Sequence, residues 1–144
     1  MADINNSTSN TVVSGNQYAN NSIYNTGDNV TINGGGNGNY HQDYIENRGS
    51  NAVIYAKAGG DTIVNYGNSS YIHTGDNGAA DKTTNYGKNV TIDSGYGNDT
   101  ITTYGDSSVV TLGTDNNSVN AFANNVVVKV SRGNQIIPRV FHKL

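Results

Sequence analysis

Along most of the chain, apolar residues come in pairs of short runs separated by Gly, Asn and Asp. The segment Asp99-Thr100-Ile101-Thr102-Thr103-Tyr104-Gly105 recurs as Asp81-Lys82-Thr83-Thr84-Asn85-Tyr86-Gly87 and as Asp61-Thr62-Ile63-Val64-Asn65-Tyr66-Gly67. Looser copies run from Asp43 to Gly49 and from Asn21 to Gly27, with degenerate ones at 117–123 and 2–8. Gly27, Gly49, Gly67, Gly87, Gly105 and Ala123 close these units, with steps of 22, 18, 20, 18 and 18 residues. Three residues after each begins a second apolar run: Val30-Thr31-Ile32, Ala52-Val53-Ile54, Ser70-Tyr71-Ile72, Val90-Thr91-Ile92, Ser108-Val109-Val110 and Val126-Val127-Val128.

These are strand and turn signals, and no stretch shows a helical period. Two strands in about 18 residues cannot form a layer alone, but stacked copies bury their inward side chains against one another. The spacing predicts an all-β chain: a parallel β-solenoid of about seven coils over residues 2–135, rising about 4.8 Å per coil. The longer steps place insertions after Ile32 and Ile72 in turns, where they disturb stacking least. Ile23, Ile45, Ile63, Ile101 and Val119 form one inward ladder with Thr83 as its polar rung. Ile32, Ile54, Ile72, Ile92, Val110 and Val128 form the facing one. Asn25, Asn47, Asn65 and Asn85 make an amide column, and Tyr66, Tyr86, Tyr104 and Phe122 an aromatic one, both read as structural stacking.

Composition sharpens this picture. Gly, Asn, Ser and Thr make up nearly half of 144 residues, charged residues are 13%, and the formal net charge is -3. With no Cys, disulfide scaffolds and thiolate metal sites are excluded. Basic residues are too few and scattered for a nucleic-acid footprint, and no run is apolar enough to span a bilayer. The first residues lack the features of a cleavable secretion signal. His41, His73 and His142 share no metal spacing, and no paired carboxylates, nucleophile elbow or phosphate loop is legible, so a non-enzymatic role is expected.

One column carries candidate chemistry. Asp43, Asp61, Asp81 and Asp99 occupy the same position in four successive coils, at the turn before the first strand. Carboxylates one coil apart repel unless something positive lies among them, and Lys57 and Lys82 are too irregular to neutralise the row. A divalent hard cation held by Asp oxygens and turn carbonyls would do so, while the plainer alternative is that Asp suits exposed tight turns.

Gly95-Tyr96-Gly97-Asn98-Asp99-Thr100-Ile101 resembles the glycine-rich nonapeptide of the RTX (hemolysin-type calcium-binding) repeats, and Gly59-Gly60-Asp61-Thr62-Ile63 is a shorter match. The resemblance implies a β-roll holding Ca²⁺ in its turns, with Asp43, Asp61, Asp81 and Asp99 and the stretches around Gly59, Gly95 and Gly97 as ligands. It also implies a secreted bacterial protein exported without a cleavable N-terminal signal. The chain departs from the pattern in two ways. The opposite turn carries Asn29, Asn51, Ser69, Asn89, Ser107 and Asn125 where the family has Asp, so calcium is expected along one side only. The acidic column becomes Asn21, Asn117 and Gln135 at its ends, so occupancy is expected to be partial, best at Asp81 and Asp99. Asp76, Asp93 and Asp115 lie in the same turns as candidate contributors. Residues 136–144 break the repeat with the single Pro and read as a cap or tail. Exposed solenoid ends would invite association into homo-oligomers.

Overall fold

The structure, a computed structural model, describes residues 2–36 and 41–137. The odd-numbered strands are β1 (Ala2–Asn6), β3 (Asn21–Asn25), β5 (Tyr44–Asn47), β7 (Thr62–Asn65), β9 (Lys82–Asn85), β11 (Thr100–Thr103) and β13 (Ser118–Ala121). The even-numbered strands are β2 (Val12–Ser14), β4 (Thr31–Asn33), β6 (Val53–Tyr55), β8 (Tyr71–His73), β10 (Thr91–Asp93), β12 (Val109–Leu112) and β14 (Val127–Val130). The odd strands stack in chain order into one parallel seven-stranded sheet and the even strands into a second. The result is a β-solenoid of seven coils, two strands per coil. Among the described residues there is no helix long and apolar enough to cross a membrane.

The strand register reproduces the repeat. Ile4, Ile23, Ile45, Ile63, Thr83, Ile101 and Val119 are paired one above another. The second sheet pairs Val13, Ile32, Ile54, Ile72, Ile92, Val110 and Val128 in the same way. Alternation in each strand turns these residues inward, where the two ladders make one apolar core. Thr83 is buried within its ladder, and its hydroxyl has no hydrogen-bond partner.

The corner leading from an odd to an even strand is uniform. Asn25, Asn47, Asn65 and Asn85 are buried there, each amide donating to the next side-chain oxygen at 2.7–2.8 Å, until Asn85 reaches Thr103 instead. Each amide also donates to the carbonyl of the glycine two residues on, so no donor is stranded. Those glycines are required by close approach: a Cβ at Gly87 would lie 2.0 Å from the carbonyl oxygen of Gly67 in the coil before. Two residues later the chain turns through the left-handed region at Asn29, Asn51, Ser69, Asn89, Ser107 and Asn125, with φ of 54–59°. Asn tolerates that conformation better than most side chains, which suits it to four of the six positions. Outside this corner Tyr66, Tyr86, Tyr104 and Phe122 stack with centroids 4.9–5.3 Å apart, and Arg48 lies over the free face of Tyr66. The rings cover one another's facing sides while remaining partly exposed.

The corner leading back to the next odd strand is longer, richer in glycine, and takes up both insertions. Beyond β14, Ile136 continues the ladder beside β13: it bridges to Ser118, and its carbonyl accepts the Val119 N–H. Of the expected cap, 138–144 lie outside the described residues.

Candidate metal site

The acidic column belongs to the second corner, on its inner side. Asp61, Ile63 and Asn65 stand at i, i+2 and i+4, so strand alternation sends all three side chains inward. Asp43, Asp61, Asp81 and Asp99 are each at most 3% exposed. Neither exposed turn chemistry nor a surface row describes them. Lys57 and Lys82 stay exposed and do not join them.

One hydrogen bond repeats up this column. A side-chain oxygen of each member accepts the backbone N–H of the member one coil earlier. Asp61 accepts from Asp43 at 2.7 Å, Asp81 from Asp61 at 2.6 Å, Asp99 from Asp81 at 2.9 Å, and Asn117 from Asp99 at 2.9 Å. Asn21 donates to Asp43 and Asn117 to Gln135 in the same manner. The second carboxylate oxygens behave differently. Asp43 Oδ2 accepts the Gly35 N–H, whereas Oδ2 of Asp61, Asp81 and Asp99 is buried with no hydrogen-bond partner.

Polar neighbours are few. Thr74 and Ser94 are buried on the adjoining corner column, and their hydroxyls act favourably on Asp81 and Asp99 respectively. The Thr74 hydroxyl proton is directed at the Ser94 carbonyl, however. Burial therefore dominates the electrostatics. It pushes the Asp61 carboxyl up to about 8, Asp99 up to about 7 and Asp81 up to about 6, against an ordinary value of 3.8. The backbone N–H on each Oδ1 pulls the other way, and neighbouring acids raise Asp61 and Asp99 further.

Glycine shapes the wall. Gly59 and Gly97 both have φ of +126°, and a Cβ would lie 1.5 Å from the His41 carbonyl oxygen at the first and 1.9 Å from that of Ala79 at the second. Gly95, at φ +63°, packs on the Gly75 carbonyl. The motif glycines thus bring carbonyls of adjacent coils close together beside the acids. Of the three further acids, two turn to His73 and the third, Asp115, stays beside the column, where its charge adds to the rise at Asp99. Asp76 and Asp93 flank the two ring nitrogens of His73 at 3.3 and 3.6 Å, and Asp115 accepts the Gly97 N–H at 3.0 Å.

The available donors are carboxylate, hydroxyl and carbonyl oxygens, which are hard ligands with no soft atom among them. Among the described residues no three His, Cys, Asp or Glu side chains converge as a metal-holding group, so carboxylates alone do not complete a coordination shell. Sequence reasoning missed Thr74 and Ser94, because Ser and Thr abound in every turn of this chain. No family model matches the chain, and neither a curated protein nor a solved structure does.

Proposed function

We propose that this solenoid is a non-enzymatic, RTX-like calcium-binding module of a secreted bacterial protein, in which the cation assists folding on export or stiffens a spacer. The observation that carries the reading is the buried row of Asp61, Asp81 and Asp99, each with one carboxylate oxygen that makes no hydrogen bond among the described residues. Buried charges persist only when paired, so at neutral pH such a row needs a proton or a cation on each free oxygen. Calcium supplies positive charge and takes six to eight hard oxygens, many of them from backbone carbonyls. Asp61, Asp81 and Asp99 would hold it together with carbonyls of the stretches around Gly59, Gly95 and Gly97. The proline-poor, glycine-rich turns are entropically costly to order, and a cation bound only in the folded state offsets that cost.

The test is thermal melting followed by circular dichroism, with calcium and then with excess chelator. Chelation is expected to lower Tm by more than about 5 °C, the shift that roughly 1.5 kcal/mol gives a domain of this size. Identical melts would sink the calcium reading. A second reading, a metal-independent solenoid that self-assembles, is favoured by a different observation: β1 and β2 each pair on one side only among the described residues. Unpaired strand edges template further strands, and sedimentation that shifts with concentration, unaffected by chelator, would favour it.

A further inference from the structure

The acidic column is acidic only in its middle. Asn21, Asp43, Asp61, Asp81, Asp99, Asn117 and Gln135 follow one another coil by coil, linked by the same backbone hydrogen bond. Aspartate and asparagine are nearly isosteric, so along this column they differ at the second side-chain atom, an acceptor that shares the negative charge in one and a neutral donor in the other.

The amides show what this corner offers to that second atom. The Asn21 amide donates to the carbonyls of Asn16 and Ala19 at 3.1 and 2.9 Å. Gln135 donates to the carbonyls of Asp115, Arg132 and Gly113 at 2.7, 2.9 and 3.3 Å. Asn117 makes a long contact of 3.4 Å with the Asp115 carbonyl. At every amide coil, then, the second atom faces carbonyl oxygens and supplies a donor. At Asp61, Asp81 and Asp99 the same place in the column holds an unpartnered oxygen. The acids thus present an acceptor at the column position where the amides present a donor. Asp43 is the exception, because Asn21 donates to its Oδ1 through both backbone and amide, and Gly35 donates to its Oδ2.

Resting on the calcium reading above, we propose that Asn21, Asn117 and Gln135 carry in their own amides the donor that the three central acids take from a cation. Cation uptake is thereby confined to the coils of Asp61, Asp81 and Asp99, and Asp43 takes no part in it. The column is a single structural device made in two forms, one self-sufficient and one dependent on the ion. Conversion of the ion-dependent coils to the amide form makes the module independent of calcium.

The experiment combines calcium titration by calorimetry with melting in chelator, on the full chain, its Asp43→Asn variant, the triple variant Asp61→Asn/Asp81→Asn/Asp99→Asn, and the single variant Asp81→Asn. The wild-type chain is expected to bind calcium, and Asp43→Asn to bind the same number of ions. The triple variant is expected to bind none and to melt in chelator several degrees above the wild-type chain. Asp81→Asn, the mildest change, should shift both readouts part of the way. Calcium binding by the wild-type chain with fewer ions on Asp43→Asn would overturn the proposal while leaving the calcium reading standing. So would a triple or Asp81→Asn variant that melts below the wild type in chelator. Absence of any calcium heat from the wild-type chain would instead overturn the reading beneath it.

Discussion

Without calcium, the chain should lose stability as pH rises. The loss comes from Asp61, Asp81 and Asp99, whose carboxyls burial raises to about 8, 6 and 7 from 3.8. In the unfolded chain they ionise near the ordinary value. Between that value and the folded ones, the native state keeps protons that the unfolded state has released. The native state thus binds more protons across this window, and unfolding free energy must fall as pH increases through it. Stability from these groups is complete below about pH 4 and lost by about pH 8.

Asp61 sets the scale, since it is 1% exposed and the most shifted. One pKa unit is about 1.4 kcal/mol, so its shift corresponds to a ceiling on the order of 6 kcal/mol, comparable to the whole stability of a small domain. Local relaxation and water entry would cut this to about half, leaving a loss of about 2–3 kcal/mol and a fall in Tm of roughly 10 °C. The assay is urea unfolding followed by circular dichroism at constant ionic strength, from about pH 5 to about pH 8, in calcium-free buffer. A parallel series with calcium should be flatter, because a cation favours the ionised form. Stability that is level or rising over the calcium-free series would refute the account of the column as buried and unsatisfied.

Two further outcomes test the frame around the site. Thr83→Val keeps the shape of the side chain while removing a buried hydroxyl without a partner, so it should stabilise the chain by about 1 kcal/mol and raise Tm by a few degrees. A drop in Tm would mean that the hydroxyl is satisfied in solution. Gly87→Ala puts a methyl group 2.0 Å from the Gly67 carbonyl of the stacked coil, where only backbone movement relieves the clash, and should cost about 3 kcal/mol in a denaturant titration. Loss of less than about 0.5 kcal/mol would show that the coils are not packed at this spacing.

How much of this was legible in the sequence depends on which period is read. The 18-residue period gave the coils, both apolar ladders, the Asn and Tyr columns and the place of the insertions, because each is a property of stacking and each recurs in the paired strands. The position of the acids depends on a second period, of two. Asp61, Ile63 and Asn65 lie on one parity, as do Asp81, Thr83 and Asn85, and the inward direction of Ile63 settles that of Asp61. A reading of Asp as a turn residue overlooks this parity, since Asp beside Gly is so common in exposed turns. The fate of each Oδ2 was not legible at all. It is decided by what the neighbouring coil presents: Gly35 N–H reaches Oδ2 of Asp43, while Oδ2 of Asp61, Asp81 and Asp99 accepts no hydrogen bond among the described residues. Four acids identical in the repeat are therefore unequal in the fold. Residue identity in a solenoid column sets which hydrogen bonds are possible, and only the register of the adjacent glycine-rich turn sets which are made. At Asp61, Asp81 and Asp99 that register leaves a buried acceptor without a hydrogen-bond partner.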